Sequence, residues 1–428
     1  MSTSPGLPHS RRQFLRRTAG FVATTVAVPF VVDAAMLGRA GAAPPSERLL
    51  IGHIGLGGRG RANLERYAKD DAIALCDVDR GHLAEARRAI PSERPVGVFS
   101  DYRRVLDRKD VDAVVISTPD HWHALQTIHA CQAGKHAYCE KPLTLTIAEG
   151  RAMVVAARLS KRVVQTGSQQ RSAPEFRKAC EIVRSGLLGE IKEARVGIPR
   201  VNYVGPPIAD AAPPEELDYD LWMGPAPTRA YNEKRVHYQF RFFWDYSGGQ
   251  QTNWGAHHID IAQWGLQADD SGPIEVSGSA KFHDRSWYEV PESYELTYRY
   301  SNGVTLHVGS SQPAGTTFIG SKGSLHVNRG KLDSDPGEIS KTPDDELKVK
   351  LPRSPGHQED WEACIRSGAL PICDVEIGHR TATVCHLGNI ALRLGRSVRW
   401  DPKREEIVGD AEAAAWVSRP YRTPWRLG

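Results

Sequence analysis

The hydrophobic pattern divides the chain into two halves of different character. Between Leu49 and Gln165, short apolar runs alternate with amphipathic stretches, the pattern of a parallel sheet wrapped by helices. Leu49–Ile54, Ala72–Cys76, Ala113–Ser117, His136–Cys139 and Arg162–Gln165 predict strands; Arg59–Ala68, Arg80–Ala89 and His123–Gln132 predict helices. After about Gly186 the apolar runs become longer and β-like, at Ile274–Lys281, Tyr294–Tyr300 and Gly303–Ser310. Helical segments are expected at Ala256–Trp264, Gln358–Arg366 and Glu376–Leu394, and the Pro-rich stretch Gly205–Pro214 is expected as a surface loop. The second half therefore predicts an α+β domain on a large, mainly antiparallel, open sheet, with its last helices packing back on the first domain.

Composition narrows the class without changing this picture. With 428 residues, 40% hydrophobic and 25% charged, the chain is no coiled coil, collagen-like, disordered or multi-span membrane protein. The formal charge of +4 sits in the first 42 residues, which hold Arg11, Arg12, Arg16, Arg17 and Arg39 against Asp33 alone. The remainder is balanced and has no global field to hold nucleic acid. Ser10-Arg11-Arg12-Gln13-Phe14-Leu15-Arg16, the apolar stretch Thr18–Leu37 and the small residues Ala40-Gly41-Ala42-Ala43 read as an export signal over residues 1–42. Pro29 and Asp33 interrupt the stretch and argue against a membrane anchor. The paired arginines resemble a twin-arginine signal, which implies the Tat export machinery as a partner and a periplasmic or extracytoplasmic location. Seven cysteines without a Cys-x-x-Cys pair, in a protein folded before export, are expected as buried free thiols.

The most informative local motif is Gly55-Leu56-Gly57-Gly58-Arg59-Gly60, a G-x-G-x-x-G between a predicted strand and a predicted helix. Its first glycine permits a tight turn, its second lets backbone approach a pyrophosphate, and its third allows close helix packing. Asp77 ends the next strand, where a carboxylate accepts hydrogen bonds from an adenosine ribose and repels a 2′-phosphate. These residues predict a Rossmann NAD(P)-binding domain over residues 47–168, followed by an α+β substrate-binding and oligomerisation domain over 169–428. NAD is expected over NADP.

Ligands bind beyond the carboxyl ends of strands in such sheets, so Ser117-Thr118-Pro119-Asp120-His121-Trp122-His123 and Cys139-Glu140-Lys141-Pro142 are expected in the same crevice. With Thr166–Arg171, Gly255–Trp264 and Asp374–Arg380, these motifs resemble the glucose-fructose oxidoreductase / inositol dehydrogenase / MocA family over essentially the whole chain after the signal. The resemblance implies that Lys141 contacts the reacting sugar hydroxyl, that Glu140 shapes its loop, and that Thr118, Pro119 and His123 line the nicotinamide side. It also places His257, and an aspartate four residues before it, on one helix face at the nicotinamide; here that position is Asn253, which cannot ionise. His257 is then the expected base, with Lys141 assisting. Gln169, Arg171, Trp222, Trp244 and His258 are further expected substrate contacts. Neither His121 with His123 nor the His257, His258, Asp260 group is read as a metal site, because a third ligand is missing in the first and successive helix positions diverge by about 100° in the second.

Taken together, these features predict an exported NAD(P)-dependent oxidoreductase acting on a carbohydrate or cyclitol hydroxyl, with a tightly held cofactor and a homo-oligomeric state implied by the resemblance. Two alternatives stand beside it: an NAD-dependent glycosidase working by transient oxidation, elimination and hydration, and a non-catalytic sugar-binding protein, for which Asn253 speaks.

Overall fold

The computed structural model describes residues 48–69, 71–201, 205–285 and 287–427. The expected export signal over residues 1–42 lies outside them. The first domain runs β1 (Ile51–Ile54), α1 (Gly58–Glu65), β2 (Ala72–Cys76), α2 (Arg80–Arg88), β3 (Gly97–Phe99), α3 (Tyr102–Leu106), β4 (Ala113–Ile116), α4 (Asp120–Gln132), β5 (His136–Cys139), α5 (Ile147–Ser160) and β6 (Val164–Thr166). Its six strands lie in the order β3-β2-β1-β4-β5-β6, with every pairing parallel. Order reverses between β1 and β4, and a crevice opens at their carboxyl ends. Strands β1 and β4 are buried at every position, as central parallel strands covered on both faces must be.

The second domain contributes α6 (Pro174–Arg184), β7 (Ile191–Gly197), α7 (Tyr219–Met223), α8 (Gly249–Asn253), α9 (Gly255–Gly265), β8 (Glu275–Lys281), β9 (Ser293–Arg299), β10 (Thr305–Gly309), β11 (Gly315–Gly320), β12 (Gly323–Asn328), β13 (Lys331–Asp335), α10 (His357–Ser367), α11 (Val375–Leu394), β14 (Val398–Asp401), β15 (Glu406–Ile407) and α12 (Ala411–Ala414). Its nine strands form one sheet in which β7 and β10 pair parallel and the remaining pairs are antiparallel. Strand β9 alternates buried Tyr294, Leu296 and Tyr298 with more exposed neighbours, because only one sheet face is covered by helices.

Helices α10 and α11 return to the first domain. Trp361 and Cys364 join the core around Leu75 and Tyr138, while Val375 and Ala382 join the core around Ile116 and Met153. All seven cysteines are free and buried. Among the described residues no helix is long and apolar enough to cross a membrane. Helix α5 was not among the expected elements, although Thr146 and Glu149 form a complete capping box at its start.

Arg171 departs from its expected role as a substrate contact. After β6 the chain turns through a 3-10 segment, Gln169–Ser172, which directs Arg171 beneath α9. There it is 1% exposed, with Nε 2.8 Å from an Asp260 oxygen and Nη2 2.6 Å from an Asp269 oxygen. Thr381 on α11 also donates to Asp260, at 2.9 Å, so this buried ion pair joins the end of the first domain to α9 and α11. Breaking one side of such a pair strands a buried charge. Arg171→Met is expected to cost about 3–5 kcal/mol in urea unfolding. The double variant Arg171→Met/Asp260→Leu is expected to recover part of that loss; a loss below 1 kcal/mol for the single variant would contradict this role.

Candidate active site

The glycine loop is shaped by close approach. Gly55 has φ +85°, and a Cβ there would lie 2.6 Å from the Thr118 nitrogen; a Cβ on Gly60 would lie 1.9 Å from the Gly55 carbonyl oxygen. Gly57 is different: a Cβ would meet only His82 Cε1, at 3.8 Å, and around Gly58 there is nothing within 4 Å. Gly57 caps α1 without a side-chain hydrogen bond, so the first N–H groups of the helix face the open cavity unpaired. This is the geometry of a pyrophosphate cradle, and the residues fit a dinucleotide. Asp77, at the end of β2, accepts from the Leu56 N–H at 2.6 Å and the Asp79 N–H at 2.9 Å through different oxygens, which leaves acceptor capacity for a ribose diol. Leu56 contributes only this backbone group; its side chain is fully buried.

A cavity of about 600 Å³ runs from this loop toward β4 and β5, lined among others by Asp77, Thr118, Pro119, Glu140, Lys141 and Trp222. Glu140 does not face it freely, since Arg59 donates to its carboxylate at 2.7 Å and Asn63 at 2.9 Å. Beside β5, the Lys141 Nζ donates to the Asn253 backbone carbonyl at 3.0 Å and to Asn253 Oδ1 at 2.7 Å. Burial, with Arg241 and Arg59 adding to it against Glu140 and Asp120, pushes the Lys141 ammonium down to about 8. Asp120 stands in the same cavity, 4% exposed, accepting from the Ser247 hydroxyl at 2.5 Å. Burial raises its pKa, although His123, Ser247, Arg241 and Lys141 act in the other direction.

Several expected contacts fall elsewhere. Helix α4 starts at Asp120 rather than His123, which turns His123 inward. Its two ring nitrogens lie 2.8 Å from the Pro142 and Thr118 carbonyls, so it braces the two strand-end loops instead of touching the nicotinamide. Carbonyls only accept, so both nitrogens carry protons; burial opposes that charge, but Cys139, Asp120 and Pro142 outweigh it and raise the imidazole to about 10. Asn253 ends α8 and His257 lies in α9, and where the two helices meet the His257 N–H donates to the Trp254 carbonyl at 3.0 Å, which leaves the Asn253 carbonyl free of it. Asn253 therefore meets Lys141. His257 is 5% exposed and outside the cavity lining, and burial, with Lys141 and Arg329 nearby, holds its pKa well below the usual value. His258 stacks on Trp254, rings 5.9 Å apart, and is a packing residue.

Trp222 is in the cavity wall, packed on Tyr219 and Tyr246. Trp244 is not: its indole donates to the Glu289 carbonyl at 3.1 Å beside a separate cavity of about 200 Å³. Gln169 is half-buried and its Oε1 has no partner. At the adenosine rim, Asp79, His82 and His237 bring three potential ligand atoms within 4.8 Å of one another. Asp120 was expected in the crevice loop but given no role of its own, and His237 went unread in the sequence. An acid in the first turn of a helix looks like dipole compensation, and His237 reaches Asp79 only through the tertiary fold.

The fold and site define a dinucleotide-binding α/β protein whose second domain closes the cleft beside Lys141. Residues 49–168 match the family described as "Oxidoreductase family, NAD-binding Rossmann fold", and residues 178–427 match "Oxidoreductase family, C-terminal alpha/beta domain". The chain belongs to the Gfo/Idh/MocA oxidoreductase family, and its first domain is an NAD-binding Rossmann domain. It is 33% identical over 159 residues to an alpha-N-acetylgalactosaminidase of Shewanella oneidensis, a match covering 35% of this chain and 34% of that protein. A glycosyl hydrolase family 109 protein of Shewanella baltica is 31% identical over 202 residues, 42% of this chain and 44% of that one. The chain thus spans less than half the length of these curated relatives. Among solved structures, a levoglucosan dehydrogenase with NADH and levoglucosan superposes with TM-score 0.60 at 20% identity, covering 82% of this chain and 99% of that one. The WlbA dehydrogenase of Bordetella pertussis, with NADH and UDP-GlcNAcA, gives 0.59 at 20% identity over 83% and 99%. These likenesses establish the fold. Gly60→Ala, whose methyl has no room against Gly55, is expected to abolish NAD binding by calorimetry, whereas Gly58→Ala, which meets nothing, is expected to change it by less than about fivefold.

Proposed function

We propose that the protein oxidises a hydroxyl-bearing carbon of a carbohydrate or cyclitol, with Lys141 as the group that takes the hydroxyl proton. The observation that carries this reading is the pairing of the Lys141 Nζ with both oxygens of Asn253. An amine that donates two hydrogens to fixed acceptors has one position left. In the neutral form that position is a lone pair able to accept a proton; in the ammonium form it is a single donatable hydrogen. Bound NAD supplies the hydride acceptor for the ring carbon. Asp120 and Trp222 shape the cavity beside the amine, and His257, neutral by burial, sits behind it rather than leading as base.

Asn253 gives the amine its direction without giving it a counter-charge. A carboxylate at that place would hold Lys141 as an ammonium. The non-catalytic reading drew its only support from Asn253, and that residue instead holds the amine in place. Export over residues 1–42 by the Tat machinery, a periplasmic location and a homo-oligomeric state belong to the same proposal, resting on the signal motif and on the family resemblance.

A second reading keeps the same first step: transient oxidation followed by elimination and hydration, giving glycoside hydrolysis with no net redox change. The glycosidase names of the curated relatives favour it. Release of nitrophenol from a nitrophenyl glycoside without accumulation of NADH supports hydrolysis; NADH accumulating in step with sugar consumed supports net oxidation.

Lys141→Met is expected to lower kcat by roughly 10²–10⁴-fold with NAD content unchanged. Because only the neutral amine accepts a proton, kcat is expected to rise with pH to a plateau, with a midpoint near the lowered Lys141 pKa of about 8. Asn253→Asp is expected to move that midpoint up by about one unit or more. A pH profile that ignores both changes would remove Lys141 from the role.

A further inference from the structure

The reacting end of the cavity carries a charge that the proton transfer does not use. Arg241 lines it from the 3-10 segment His237–Phe242. Its guanidinium lies 4.3 Å from the ring centroid of Tyr238 and 4.7 Å from that of Phe240, and Nη1 donates to the Tyr238 carbonyl at 2.7 Å. Among the described residues it has no carboxylate partner. Its neighbours differ: Arg229 is held by Asp245 and Glu289, and Arg59 by Glu140. Lys141, hydrogen-bonded to the neutral oxygens of Asn253, likewise has no carboxylate in hydrogen-bond contact among the described residues. Arg241 stands within electrostatic reach of both Lys141 and Asp120. Two cations thus face one buried carboxylate whose ionisation burial opposes.

The dinucleotide phosphates have a cradle of their own in the uncapped start of α1. A neutral sugar placed over Arg241 would remove its water without returning a charge, which is costly. A carboxylate would return it. The guanidinium lies against two aromatic rings, and its remaining N–H groups offer the planar fork that matches two carboxylate oxygens. A phosphate accepts the same fork, so a phosphorylated sugar is the control that separates the two.

We propose that the sugar taken by this site is an acid, with the carboxylate of a uronate ring bound to Arg241 while Lys141 faces the hydroxyl to be oxidised. The binding half of this statement stands on Arg241 alone; the oxidation half rests on the proposed function.

The test titrates the full NAD-loaded protein by calorimetry with D-glucuronate, D-galacturonate, D-glucose, D-galactose and glucose 6-phosphate, recording reduced-nicotinamide absorbance on the same samples. At least one uronate is expected to bind roughly tenfold to a hundredfold tighter than its neutral counterpart. Arg241→Gln is expected to erase that ratio and Arg241→Lys to keep part of it, both with NAD content unchanged. Neutral sugars binding as tightly as uronates, the phosphate exceeding both, or NAD lost from Arg241→Gln would each overturn the proposal. Arg241-dependent uronate binding with no nicotinamide reduction would sink the oxidation reading alone. Reduction driven equally by neutral sugars, and indifferent to Arg241, would sink the acidic-substrate proposal alone.

Discussion

An amine held between two domains by one asparagine is the constraint on which the site depends. Lys141 leaves the carboxyl end of β5 in the Rossmann domain, and Asn253 ends α8 in the second domain, so their two hydrogen bonds exist only when the domains meet in one way. The helix break at Trp254 lets both the backbone carbonyl and the side chain of Asn253 point at the same nitrogen. The core shared through α10 and α11, and the buried Arg171, Asp260 and Asp269 group, hold the domains in that arrangement.

Around this contact the cavity separates two kinds of electrostatics. At the dinucleotide end, backbone does most of the work: unpaired helix N–H groups, side-chain-free positions at Gly57 and Gly58, and a carboxylate already oriented by two backbone donors. At the reacting end, side chains do it, and burial shifts their ionisation. Lys141 loses basicity to burial, Asp120 is opposed in ionising, and His257 stays neutral. His123 carries the opposite lesson. It is charged because two carbonyls and nearby groups demand protons, and it serves the architecture of the loops rather than the reaction.

Much of this was legible beforehand, for local reasons. Buried parallel strands must be continuously apolar, and β2 and β5 fall where the pattern placed them. Gly55, Gly57, Gly60 and Asp77 were readable because a phosphate turn and a ribose contact impose fixed spacing along one chain segment. Lys141 was readable by resemblance. The residues misplaced share a cause: Arg171, His258 and Trp244 are large polar or aromatic side chains, useful both in cores and in sites, and composition cannot distinguish those uses. Arg171 needed Asp260 and Asp269, which follow it by about ninety residues. The partner of Asn253 escaped notice for a finer reason, since the junction of α8 and α9 at Trp254 leaves its carbonyl to accept from Lys141, which lies more than a hundred residues away in sequence.

The sequence by itself determined the elements, the parallel sheet, the dinucleotide loop and the pool of residues able to do chemistry, because each depends on periodicity or spacing within a short stretch. Only the tertiary structure decided which residues of that pool share a cavity, that Asn253 serves Lys141 rather than His257, and that Arg241 is left without a counter-charge. Ionisation and hydrogen bonding depend on distances and burial across the fold, and residues more than a hundred positions apart set them here.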